Sequence, residues 1–160
     1  RAGGGGGIGA LRANADKMPK GVRMARWPVS VKGVTLDPAG NVLLLRNERE
    51  EWELPGGRLD PEDAGPEAAV VRELAEETGW RVEPVELLDS WLYEPLPGRR
   101  VLILTYGCRL LTPGQLPVLS EEHRAWGVFP AAEVPGLRMP EGYKRSIARW
   151  YGRRAAVRGD

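Results

Sequence analysis

The residues of this chain best placed to do chemistry are three carboxylates, Glu73, Glu76 and Glu77. An α-helix turns about 100° per residue, so these positions share one face. Like charges one turn apart repel, at a cost of a few tenths of a kcal/mol per pair. A cation between them removes that cost, and hard divalent ions such as Mg2+ take oxygen ligands of this kind. Ala68, Val71, Leu74 and Ala75 recur at helical spacing and predict an apolar stripe on the opposite side. The expectation is a helix packed on one face and acidic on the other. Taken alone, such a run is ordinarily a solvated surface, because Glu is a good helix former.

The elements that must position these groups are written around them. Pro66 suits the first helical turn, where its missing N–H costs little. Gly79 suits the residue after the last turn, where positive φ caps the helix. The spacing predicts a helix from about Pro66 to Thr78, entered through a polar loop that follows Gly56 and Gly57.

This segment resembles the Nudix box, whose second half reads Arg-Glu-U-x-Glu-Glu-x-Gly-U with U apolar. Arg72 to Trp80, RELAEETGW, matches it completely. The approach WELPGG, residues 52–57, is similar to that of MutT-type members. The middle departs: counted from Gly57, the first acidic slot falls on Asp63, and the spacing to Arg72 is one residue longer than the pattern. Glu62 is the alternative occupant of that slot.

The resemblance implies an α/β fold, the Nudix α/β/α sandwich with a mixed central sheet and a loop–helix–loop catalytic motif. It implies a hydrolase that cleaves the pyrophosphate bond of a nucleoside diphosphate linked to another moiety, such as ADP-ribose, a nucleotide sugar or a (d)NTP. It implies Mg2+ as cofactor, with Mn2+ able to substitute. Glu76 and Glu77 match paired metal ligands, Glu73 a further ligand or a base for the attacking water, and the Gly56 carbonyl another ligand. Arg72 matches the arginine that holds the acidic cluster in place. Members often add an acidic residue from a later loop, for which Glu121 and Glu122 are the candidates, so the base lies between Glu73 and that loop. The alternative is a catalytically silent nucleotide- or RNA-binding Nudix module, using the loop insertion and the basic C-terminal helix for recognition.

Composition sets bounds on these readings. A chain of 160 residues with 42% hydrophobic content predicts one domain with a core, here residues 24–156. Residues 1–23, with the run Gly3–Gly7, read as a flexible leader, and residues 157–160 as a tail. A net charge of +1 gives no bulk attraction for polyanions, so nucleic acid is not expected as a partner. The single cysteine, Cys108, excludes a disulfide within the chain and reads as packing. No apolar run approaches the roughly 20 residues that span a bilayer. The expectation is a cytoplasmic protein, monomer or homodimer, with a nucleotide-type substrate and no membrane partner.

Around the box, residues 28–47 read as a β-hairpin turning at Asp37–Asn41. Segments 81–93, 101–111 and 124–130 read as strands, with a bulge or edge at Pro84. Residues 142–156 read as an amphipathic helix burying Tyr143, Ile147, Trp150 and Tyr151. Arg46 and Arg58 are candidates to contact substrate phosphates, and Trp52 and Trp126 to stack on a base. His123, the only histidine, reads as a polar loop residue.

Overall fold

The computed structural model describes residues 20–157. The pentaglycine run, most of the expected leader and residues 158–160 of the expected tail lie outside the described residues. Among the described residues, no helix is long and apolar enough to cross a membrane.

The described residues fold into two sheets and two α-helices. Strands β1 (Val29–Thr35), β4 (Gly56–Arg58), β5 (Val82–Leu96) and β6 (Arg99–Leu110) form a mixed sheet in the order β4-β1-β6-β5. Strand β1 runs parallel to β6 and antiparallel to β4. Strands β2 (Val42–Arg46), β3 (Trp52–Glu53) and β7 (Ala125–Phe129) form a second sheet in the order β3-β2-β7. The box helix α1 is Pro66–Thr78, a 3-10 helix spans Ala131–Gly136, and α2 is Glu141–Val157.

Two apolar clusters divide the core between the faces of the first sheet. Val31, Ala69, Val70, Leu74, Trp80, Val82 and Tyr106 pack beneath α1. Val34, Leu44, Leu54, Ile103, Tyr143, Ile147 and Trp150 pack between the sheets and α2. Period-two alternation in β1 sends Val31 and Val34 to opposite clusters, so both faces of this interior strand are covered. This is the α/β/α arrangement with a mixed sheet.

Three expectations need correction. Residues 28–47 do not form a simple hairpin. The turn at Asp37–Asn41 forms, with the Asp37 carboxylate accepting from the Ala39 and Asn41 amides, but only Leu36 and Val42 bridge before β1 and β2 part into different sheets. Residues 52–58, where no strand was expected, contain two short strands, β3 and β4. The apolar stripe of α1 is also rotated. Ala69, Val70, Leu74 and Thr78 are buried together with Glu77, whereas Ala68, Val71 and Ala75 are exposed.

Strand β5 lies at an edge, and its register against β6 shifts three times, at Pro84/Glu86, Leu87/Asp89 and Tyr93/Leu96. Its Val85, Leu87, Leu92 and Leu96 side chains are exposed. The arginines of α2 turn toward this strand: Arg145 and Arg149 pair with Asp89, and Arg153 pairs with Glu86.

Candidate active site

The local sequence places α1 with economy. Pro66 begins it, and Gly79, at φ 71°, ends it with its N–H on the Ala75 carbonyl at 3.0 Å. The carbonyls orphaned at the last turn are taken by a later loop: Val118 N–H donates to Thr78 O at 2.8 Å and Ser120 N–H to Glu77 O at 3.2 Å. The indole N–H of Trp80 donates to Gln115 O at 2.8 Å. Residues 115–120 are thereby sewn to the end of the helix, and residues 120–123 are carried over the acidic face.

At the other side of that face stand the two glycines. Gly56 has φ 145°, and a Cβ there would lie 1.9 Å from the Val31 carbonyl oxygen and 2.8 Å from Lys32 Cα. Only glycine fits so close a backbone approach. A Cβ on Gly57 would lie 2.8 Å from the Glu73 carboxylate, so the absence of a side chain lets Glu73 rest on the strand. Gly56 N–H donates to Glu77 Oε2 at 2.8 Å.

Between these walls is a cavity of about 810 Å3. Gly56, Gly57, Arg58, Glu73, Glu76 and Glu77 line one side, and Ser120, Glu121, Glu122 and His123 another. Asn47, Glu48, Arg49 and Glu53 complete it.

Arg72 organises the acidic face. Its Nε and Nη2 donate to the two oxygens of Asp63 at 2.8 and 2.9 Å. Its Nη1 donates to Glu73 at 3.0 Å and Glu76 at 3.2 Å, and its Nη2 also reaches the Arg58 carbonyl at 3.2 Å. Asp63, not Glu62, therefore occupies the acidic slot of the loop. Hydrogen bonds from Arg72 and from the Asp60 backbone hold the Asp63 carboxyl at about 2, well below its ordinary value.

Burial governs the other groups. It pushes the Glu77 carboxyl up to about 7, against the pull of Lys32 and the Gly56 N–H. It also raises Glu73, with Arg72 opposing. For Lys32, burial opposes the charge, but Tyr143, Glu53, Glu77 and Glu73 outweigh it and the ammonium is held above its ordinary range. Glu53 is half-buried, which opposes its charge, yet His123, Lys32 and Asn47 bring it down to about 2. His123 Nε2 lies 2.8 Å from Glu53 Oε1, and this partner raises the imidazole despite burial. Of the groups that the sequence left outside the site, His123, Glu53 and Asn47 are here joined into one half-buried network facing the cavity. The only sequence signal for Glu53 was its place in WELPGG; Lys32 had none, since it interrupts an apolar strand.

Among the expected substrate contacts, Arg58 lines the cavity and Arg46, Trp52 and Trp126 do not. Arg46 lies across from Trp52 in the second sheet and pairs with Glu50 at 3.8 Å. Trp52 meets Phe129 edge-on, with ring centroids 4.8 Å apart, and packs against the core between the sheets. Trp126 packs against the cluster beneath α1. Both indoles are partly buried and engaged in packing.

Among the described residues, no three His, Cys, Asp or Glu side chains converge as a ready metal cluster. Arg72 holds Glu73 and Glu76, and the Gly56 amide holds Glu77. The donor set fits a hard divalent ion in kind: carboxylate oxygens and a backbone carbonyl around one cavity, with a buried carboxylate, Glu77, whose charge burial opposes.

Comparison with known proteins agrees with this arrangement. The NUDIX domain family model matches residues 26–151. The chain is 40% identical over 116 residues to a MutT-like protein of Streptomyces ambofaciens, covering 72% of this chain and 71% of that one. It is 46% identical over 106 residues to a protein of Bacillus subtilis (strain 168) provisionally named an 8-oxo-dGTP diphosphatase, covering 57% of this chain and 70% of that one. Its fold is similar to the crystal structure of a MutT protein from Methanosarcina mazei Go1, with a TM-score of 0.68 at 23% identity over 80% of this chain and 95% of the other.

Proposed function

The chain belongs to the NUDIX domain family, and from that premise we propose that it cleaves the pyrophosphate bond of a nucleoside diphosphate linked to another moiety, with Mg2+ held on the acidic face of α1. It is a pyrophosphohydrolase acting on nucleotide-linked substrates. One observation carries the finer reading. Glu73, Glu76, Glu77 and Gly56 line a single cavity, with Glu77 tied to the Gly56 amide at 2.8 Å.

Glu73, Glu76, Glu77 and the Gly56 carbonyl would hold the ion, which when bound neutralises phosphate charge and polarises the phosphorus under attack. Mn2+ would occupy the same oxygen donors. The chain supplies the rest. Arg72 fixes Glu73 and Glu76 in place through Asp63. Arg58, exposed at the cavity wall, offers its guanidinium to substrate phosphates. Glu73, with one oxygen on Arg72, and Glu122, exposed on the loop across the cavity, are the two carboxylates assigned proton acceptance from the attacking water.

The reading as a silent RNA-binding module drew on the loop insertion and the basic C-terminal helix. Arg145, Arg149 and Arg153 of that helix are paired with Asp89 and Glu86 of the same chain, which weakens the second of these supports.

The test is phosphate release from a panel of dNTPs, 8-oxo-dGTP, ADP-ribose, nucleotide sugars and 5′-triphosphorylated RNA, with Mg2+ and with EDTA. The expected result is turnover of at least one substrate that EDTA abolishes. Turnover unaffected by EDTA, or none on any substrate, overturns it. Comparing Glu73→Gln with Glu122→Gln in single-turnover pH profiles separates the two proton acceptors.

A further inference from the structure

Lys32 is a buried cation placed directly behind the acidic site. It stands opposite Gly56 in the β1–β4 register. Gly56 has no side chain to obstruct it, and a Cβ there would lie 2.9 Å from Lys32 Cδ. The stem therefore runs across the glycine, and Nζ reaches the Gly56 carbonyl at 3.4 Å. The residue is 7% exposed, and its ammonium lies 5.8 Å from the centre of the Tyr143 ring. Glu53, Glu73 and Glu77 are the carboxylates whose charge it feels.

The Gly56 carbonyl, Glu73 and Glu77 are also donors through which the chain would hold a divalent ion. A fixed positive charge beside them works against a second, doubly charged cation, and in a partly buried site that repulsion is weakly screened. The same charge keeps the carboxylates from repelling one another when no ion is bound. We propose that Lys32 is a positioning residue that serves as a built-in counter-charge of the metal site. It stabilises the metal-free protein and sets its divalent-ion affinity below what the carboxylates alone would give. Ion binding then gains from phosphates that arrive with the substrate, the shared coordination by which Mg2+ is commonly held. The proposal rests on the reading of this face as a divalent-ion site.

The sign of one measurement separates this role from a structural one. Loss of a merely structural lysine loosens the site and weakens metal binding, whereas loss of a counter-charge tightens it. Free Mn2+ is counted by electron paramagnetic resonance, without substrate, for wild type, Lys32→Met and Lys32→Arg at pH 8.5 under inert gas. The expected result is roughly tenfold tighter binding by Lys32→Met and near-wild-type binding by Lys32→Arg, following the loss or retention of a nearby charge in a low-dielectric site. Thermal melts in EDTA should show Lys32→Met less stable than wild type, with a larger gain on adding Mn2+. Should metal-free Lys32→Met be unfolded, circular dichroism during Mn2+ titration reads the same linkage: folding driven by the ion supports the proposal, and its absence overturns it. Unchanged or weaker Mn2+ binding by Lys32→Met, with wild type binding normally, overturns the role of Lys32 alone. Failure of wild type to bind Mn2+ overturns the metal reading as well.

Discussion

The carboxylate of Glu77 accepts the amide proton of Gly56 at 2.8 Å, joining the last turn of the acidic helix to a strand 21 residues earlier in the chain. Helix and strand are thereby fixed relative to each other at the point where the site needs both. The junction depends on a residue without a side chain.

Gly56→Ala is therefore expected to be among the most damaging single substitutions. The new methyl would meet the Val31 carbonyl oxygen at 1.9 Å, at a φ of 145° that side chains rarely adopt. The expected loss is more than about 3 kcal/mol, the scale of combined backbone strain and overpacking. Urea unfolding measures it, and a loss below about 1 kcal/mol would show that the strand moves freely.

Glu77→Gln should divide stability from activity. The amide keeps an oxygen for the Gly56 N–H but removes a charge that burial opposes. In EDTA at pH 8, its melting temperature should equal or exceed that of wild type. Turnover with Mg2+ should fall by about 10²-fold or more, the scale at which lost charge stabilisation is felt. A variant both unstable and active would contradict the account on both counts.

Asp63 predicts a specific acid sensitivity. Its carboxyl sits at about 2 in the folded protein and at 3.8 when free of partners. A depressed folded value means that the Arg72 pair contributes stability in full above pH 4 or so, and loses it as pH falls through about 2. Melts of wild type and Asp63→Asn should differ most above that window and converge toward its lower end. A gap independent of pH would place the effect of the substitution elsewhere.

Cys108 should be inert in the native state. It is 2% exposed, and burial pushes its thiol up to about 12, so almost no thiolate exists at pH 8. Ellman's reagent should label the native chain negligibly over an hour and label it fully in denaturant. Rapid native labelling would mean that β6 opens locally.

The helix bounds, the matching box residues and the three main strands were legible because each has a local physical signal. Pro66 and Gly79 mark the ends of α1, and β-branched residues mark β6. The rotation of α1 was not legible. Reading apolar residues as the buried face assumes that carboxylates point to water, whereas Glu77 is 5% exposed because the site lies between helix and strand. Strands β3 and β4 are too short to show a period. The choice of Asp63 over Glu62 depended on where the loop bends: the Asp60 and Asp63 backbones hydrogen-bond, and Arg72 reaches Asp63 with two nitrogens. Lys32 was invisible for a different reason. Its buried place depends on the missing side chain of a residue 24 positions away, which no local pattern encodes.

The broken register of β5 has a bearing on how copies of this chain meet at high concentration. A straight outer strand carrying Val85, Leu87, Leu92 and Leu96 would present a zipper of unmet amides flanked by greasy side chains, the template from which fibrils grow. Kinked in three places and interrupted by two prolines, Pro84 and Pro95, this margin offers an incoming chain only brief stretches to grip. The irregularity is a safeguard against stacking, and straightening it by replacing Pro84 with a β-branched residue would put that safeguard at risk.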